Sequence, residues 1–251
     1  MIDLKKPIGH QLEPDWNDCA RLPILESQQP LVAIGLSRHL IVYPIYHRLG
    51  VPDALSDCFI RSGVYERLLK AAASLPSGMH LTVLDGWRPL SVQIQLYQSL
   101  SQAIAAANPD CSGYELAEVT RQFVSVPSIT KESPSPHLTG GAVDVTLTDS
   151  DGQWLDMGSE FDAACAASYA RYFETIEAPS ETQVAVRTRR RILFNAMQGA
   201  GFSNLPSEWW HYDFGNQLWA SATGQKEAIY GRTEVESIKQ RWQRQLCRYA
   251  R

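Results

Sequence analysis

Apolar residues recur along this chain with two periods, one near 3.6 and one of 2, and the changes between them mark the elements to expect. Over residues 62–75, Val64, Leu68, Leu69, Ala72 and Leu75 fall on one helical face behind a candidate capping serine, Ser62. Pro76 and Gly78 end that run. A short strand follows at 80–84 and turns at Asp85-Gly86. The stripe Val92, Leu96, Leu100, Ile104 predicts a helix that stops at Asn108-Pro109, and Leu116, Val119 and Phe123 predict another over 113–124. The segment A-V-D-V-T-L at 142–147 alternates as a half-buried strand does, with Val143, Val145 and Leu147 toward a core and Ala142, Asp144 and Thr146 away from it. After a hairpin-like turn at Asp151-Gly152, Phe161, Cys165, Tyr169, Tyr172 and Phe173 suggest a helix opening at Phe161. Ser180 is placed to cap a helix over 181–200, closed by Gly201 in a left-handed cap. The aromatic stretch P-S-E-W-W-H-Y-D-F reads as strand, and residues 233–251 as a terminal amphipathic helix packed on the body through Val235, Ile238, Trp242, Leu246 and Tyr249. Residues 1–60 hold short apolar runs between prolines and aspartates and are expected to be irregular with a few short strands.

Composition narrows the class without naming a function. At 251 residues, 44% hydrophobic, 20% charged and net charge −4, the chain reads as one globular domain with decorations. A mildly acidic balance gives no pull toward nucleic acid or an anionic membrane, and no apolar run is long enough for a spanning helix. The start M-I-D-L-K-K-P-I-G-H lacks the apolar core of a secretory signal, so the expected location is cytoplasmic. Cys19, Cys58, Cys111, Cys165 and Cys247 are scattered, without a C-x-x-C pair, which argues against zinc thiolates. The cluster Arg187, Arg189, Arg190, Arg191 has no interleaved aromatics or glycines and is expected to be a solvated helix face.

The chemistry concentrates in S-P-S-P-H-L-T-G-G-A-V-D-V-T-L, where His137 and Asp144 stand seven residues apart across Gly140-Gly141. Imidazole and carboxylate both ligate zinc, and an aspartate on an otherwise apolar strand needs a partner. Farther on, Glu208 and His211 are three apart, which on a regular strand would put them on opposite faces. Glu208 is therefore expected in a loop or bulge at the strand start, turned toward the face that carries His211. His10, His39 and His47 have no ligand-like neighbours and read as surface or satisfied core histidines. Three protein ligands, His137, Asp144 and His211, would hold one zinc ion with a position open for water, the mark of a catalytic site. Glu208 would take a proton from that water and return it to a leaving amine. Arg88, held extended by Pro89, would stabilise an oxyanion; a surface arginine paired with Asp85 is an equally weighted reading of that residue.

S-P-H-L-T-G-G-A-V-D resembles the S-x-H-x-x-G-x-A-x-D signature of the D-alanyl-D-alanine dipeptidases, zinc peptidases of the vancomycin-resistance type. E-W-W-H-Y is similar to their second signature and D-G-W-R-P to their arginine motif; M-G-S-E-F-D and the R-R-R helix recur in order. The resemblance covers roughly 80–215, flanked by a divergent part at 1–79 and a helical tail at 216–251. It implies an α+β fold in which a small, mainly antiparallel sheet carries the zinc site and helices cover its back. It also implies hydrolysis of a small D,D-dipeptide with one zinc ion per chain, His137, Asp144 and His211 as ligands, Glu208 as base and acid, and Arg88 at the transition state. Ser135 and Asp162 would help hold the substrate's free amino end. Gly141 and Trp87 depart from the serine and tyrosine usual in the family. Two other readings are a D,D-carboxypeptidase or endopeptidase on peptidoglycan stems, whose G-Y-R-S and E-P-W-H motifs differ from those present here, and a non-catalytic zinc-binding module.

Overall fold

The computed structural model describes residues 3–128 and 130–249. In chain order the elements are α1 (Trp16–Arg21), β1 (Leu31–Ala33), β2 (Ile41–Val42), α2 (Ile45–Arg48), β3 (Phe59–Arg61), α3 (Ser62–Ser74), β4 (Met79–Asp85), α4 (Leu90–Ala107) and α5 (Gly113–Phe123). There follow β5 (Ala142–Asp149), α6 (Glu181–Gly199), β6 (Ser203–Asn204), β7 (His211–Asp213), α7 (Gln217–Ala222) and α8 (Ile238–Tyr249). One sheet runs β2-β4-β5-β7-β6, with β2 parallel to β4 and the other pairs antiparallel. β1 and β3 form a separate antiparallel pair. This is the expected α+β arrangement around a mainly antiparallel sheet.

The central strand is β5, and its alternation sets the layers. Val143, Val145 and Leu147 join Leu81 and Val83 of β4 in a core closed by Val64 and Leu68 of α3 and Leu193 and Met197 of α6. The opposite face is not open to water as a half-buried strand would be: Asp144, Thr146 and Thr148 are buried too, with Thr148 hydrogen-bonded to Thr82. A strand buried on both faces makes any charge on it depend on a specific partner.

Helix ends follow the sequence in part. Ser180 accepts from the Gln183 amide while the Gln183 side chain returns to the Ser180 amide, a reciprocal cap worth about 1 kcal/mol. Gly201, at φ +97°, lies just past that helix's end. Ser62, expected to cap α3, is instead its first residue, because β3 runs straight into the helix and the Ser62 amide bonds to the Pro30 carbonyl.

Two expectations are corrected. No α-helix opens at Phe161: Asp162 stands at φ +62°, and the segment beyond it folds into short 3-10 turns, Ala166–Ser168 and Tyr172–Glu174. Arg190, expected on a solvated face, is buried beside this segment. Its guanidinium donates to the carbonyls of Met157 (2.7 Å), Tyr169 (2.9 Å) and Ala167 (2.7 Å) and lies over the Phe173 and Trp209 rings. One cation thus satisfies carbonyls that a helix would have satisfied internally. Arg190→Met is expected to destabilise the fold by about 3 kcal/mol, since these acceptors would stay buried without donors. A chemical-denaturation midpoint equal to wild type would disprove that role.

The tail also differs. α8 leaves Ile238, Trp242 and Leu246 between 57% and 67% exposed, so the stripe is not packed on the body as expected. What docks instead is the stretch before it, where Tyr230 is fully buried. Ala250 and Arg251 lie outside the described residues. No helix among the described residues is long and apolar enough to cross a membrane.

Candidate active site

Three strands deliver one row of polar side chains. Asp144, the third residue of β5, pairs directly with His211 on β7 and with Asp85 at the end of β4, where a register shift between Val83 and Asp85 brings the aspartate opposite it. Directly opposed residues share a face at close range. His137 comes from a 3-10 turn, Pro136–Thr139, that precedes β5. Gly140 ends that turn at φ +69°, where an added Cβ would lie 2.4 Å from Leu31, so only glycine carries the chain past β1 and back into the sheet. Arg61 braces the same turn by donating to the Thr139 carbonyl at 2.8 Å.

The two histidines are oriented from behind. His137 Nδ1 lies 2.7 Å from the Gly86 carbonyl and His211 Nε2 lies 3.1 Å from Asp213 Oδ2. A proton on each of these nitrogens leaves the other nitrogen of each ring with a free lone pair. Those nitrogens, His137 Nε2 and His211 Nδ1, face one another at 3.3 Å, with Asp144 Oδ1 3.2 Å from the second. Asp144 Oδ1 is buried and has no hydrogen bond. One ligand atom from each of His137, Asp144 and His211 lies within 4.8 Å of the others. Three lone-pair donors converging on one point, one of them an orphaned buried oxygen, fit a divalent cation. Burial alone would raise the Asp144 pKa, but the two imidazoles hold it below the ordinary carboxylate range.

Glu208 lies in the loop between β6 and β7, as its spacing from His211 required. Asn204 fixes that loop by donating to the carbonyls of Glu208 and His211, both at 2.9 Å. The carboxylate stops 3.8 Å from His211 Nδ1, and burial pushes its pKa up to about 8 against the pull of the histidine. Arg88 makes the expected ion pair with Asp85, but it is buried and not on the surface. Its Nε donates to Asp85 at 2.7 Å, while Nη2 lies 3.3 Å from Asp144 Oδ2 and 3.4 Å from the Tyr46 hydroxyl. Asp162 accepts from the Tyr46 hydroxyl at 3.1 Å and is open to solvent at the mouth of the site, where the protein packed around it raises its pKa and Arg88 opposes the rise. Its backbone is left-handed, at φ +62°, which nothing in the sequence announced.

His137, Asp144, His211, Glu208, Arg88 and Asp162 all border a cavity of about 20 Å³ that opens to solvent. Ser135 is not in its lining: the hydroxyl accepts from the Ser128 amide at 3.0 Å and donates to the Val126 carbonyl at 3.4 Å, bracing the loop behind the wall. Several contributors went unnoticed in the sequence. Asp213 had a legible signal, because the residue two beyond a strand histidine shares its face. Tyr46 and Gln93, which touches Arg88 Nη1 through its Oε1 at 2.8 Å, had none.

Two strands of the sheet and the turn before β5 bring two imidazoles and a carboxylate together, with a second carboxylate and a guanidinium beside them, in an α+β protein whose donor set could hold a divalent ion. The model of the M15 peptidase family, described as D-Ala-D-Ala dipeptidase, matches residues 50–229, and the chain belongs to that family. It is 33% identical over 237 residues to a D-alanyl-D-alanine dipeptidase of Synechocystis sp., covering 85% of this chain and 95% of the relative. A D-alanyl-D-alanine dipeptidase of Escherichia coli K12 is 35% identical over 138 residues, 55% of this chain and 56% of that protein. The chain is therefore a peptidase.

Proposed function

We propose that the protein hydrolyses D-Ala-D-Ala to free D-alanine with one zinc ion held by His137, Asp144 and His211. The observation that carries this reading is the orphaned Asp144 Oδ1 facing two imidazole lone pairs beside Glu208. A zinc ion bound there would supply Lewis acidity, making a water molecule acidic and a carbonyl electrophilic. Glu208 accepts the proton of the attacking water and returns it to the leaving amine. Arg88, fixed by Asp85 and facing the cavity, stabilises the oxyanion. Asp162, turned inward at the mouth, meets the substrate's ammonium group by charge.

The D-G-W-R-P and E-W-W-H motifs and the similarity to D-alanyl-D-alanine dipeptidases support a dipeptide over a peptidoglycan stem, and a non-catalytic zinc module has no use for Glu208 and Arg88 at one cavity. Zinc-loaded protein assayed with D-Ala-D-Ala, L-Ala-L-Ala and a pentapeptide stem should cleave the first alone. Cleavage of the stem but not the dipeptide would transfer the activity to the carboxypeptidase class. Bound zinc with no cleavage would favour the binding module.

A further inference from the structure

Gln93, three residues into α4 and almost wholly buried, uses its amide in two directions. Oε1 accepts from Arg88 Nη1 at 2.8 Å, and Nε2 donates to the Ser125 carbonyl at 2.8 Å. Ser125 belongs to the short stretch after α5, and with Phe123 and Val124 it forms one wall of the cavity. That wall is lightly anchored: α5 packs on α4 and adds no residue to either buried apolar cluster. Its ties to the rest of the site include Gln93 at Ser125 and Ser135 at Val126 and Ser128. The other boundaries are of a different kind. Asp144 and His211 sit in paired strands, and Trp210 is part of the main core.

A cavity of about 20 Å³ has room for about one water molecule. A dipeptide needs more room than that, and the wall at 123–125 has no residue in either buried apolar cluster to hold it in place. We propose that Gln93 is a positioning residue that couples this wall to Arg88. The amide that orients the guanidinium toward the cavity also draws the wall against it, so that closing over substrate and placing the cation become one event. The inference rests on the reading of Arg88 as the oxyanion-stabilising group.

Two variants separate the two ends of the amide. Gln93→Glu keeps an acceptor for Arg88 and places an oxygen against the Ser125 carbonyl; Gln93→Met is nearly the same size and removes both bonds. Steady-state kinetics on D-Ala-D-Ala would be measured on the full, zinc-loaded chain, with amide hydrogen exchange across residues 123–128. Gln93→Met is expected to lower kcat about tenfold, the equivalent of one lost hydrogen bond to a charged group. Gln93→Glu should lose less in kcat than Gln93→Met, while both raise KM and both speed exchange at 124–128. Wild-type kcat in the methionine variant, or wild-type exchange in both variants, overturns the proposal. Should the methionine variant fail to fold, exchange and KM in the glutamate variant decide it. Faster exchange in variants of a protein that cleaves no dipeptide would sink the catalytic reading while leaving the tie to the wall; unchanged exchange in a protein that cleaves it would sink Gln93 alone.

Discussion

Glu208→Gln is expected to cut kcat on D-Ala-D-Ala by about a thousandfold, the scale of a lost general base, with one zinc ion per chain still bound. The two readouts part because Glu208 is beside the triad and not in it: its carboxylate lies 3.8 Å from His211 Nδ1, whereas Asp144 Oδ1 lies at 3.2 Å. Glutamine has the same shape, and the loop that presents it is held by backbone contacts, Glu208 N to Leu205 O at 3.0 Å and Asn204 to the Glu208 carbonyl. The fold should therefore be kept. Glutamine carries no charge for burial to penalise, so the melting temperature should not fall. An enzyme with wild-type kcat in this variant would remove Glu208 from the chemistry, and one that lost its zinc would make it a ligand.

Much of this site was legible because its chemistry is written in short spacings that strand geometry converts into positions. His137 and Asp144 flank a turn whose glycine is needed for backbone passage, and the face of His211 follows from parity along β7. The Glu208 placement came from the same parity, since a three-residue spacing forbids a shared face on a strand. What stayed hidden depends on contacts between distant segments. The aromatics at 161–173 fall at helical spacing, yet Phe161 packs on Tyr46 and Trp210 while Phe173 packs on Arg190, whose hydrogen-bond partners are carbonyls and leave no trace in side-chain identity. The first sixty residues looked irregular because β1, β2 and β3 are two or three residues long and pair with strands far away. For that reason Tyr46, which bridges Arg88 and Asp162, carried no signal. The exposed stripe of α8 shows the opposite error, a periodic pattern taken to imply a packing partner.

Asp144→Asn is expected to abolish both zinc binding and activity, and chelation of the wild-type enzyme should reproduce the loss reversibly. Loss of a partner that merely orients a metal ligand costs about 10–100-fold in affinity, and removal of the charged ligand itself should exceed that. Asparagine fills the same space, so the consequences are those of charge. Arg88 keeps Asp85 at 2.7 Å but loses the carboxylate at 3.3 Å, and the two imidazoles lose the buried anion that both face. The variant separates metal-dependent from metal-independent stability. At a free zinc concentration about a thousand times Kd, binding adds about 4 kcal/mol to wild type. Melting curves with and without zinc should then diverge for wild type and coincide for Asp144→Asn. Full activity restored to chelated wild type by zinc, with none restored to the variant, would place the ion at this carboxylate. A variant whose melting temperature still rises with zinc would mean that the ion is held elsewhere, and the lone pairs of His137 and His211 would need another explanation.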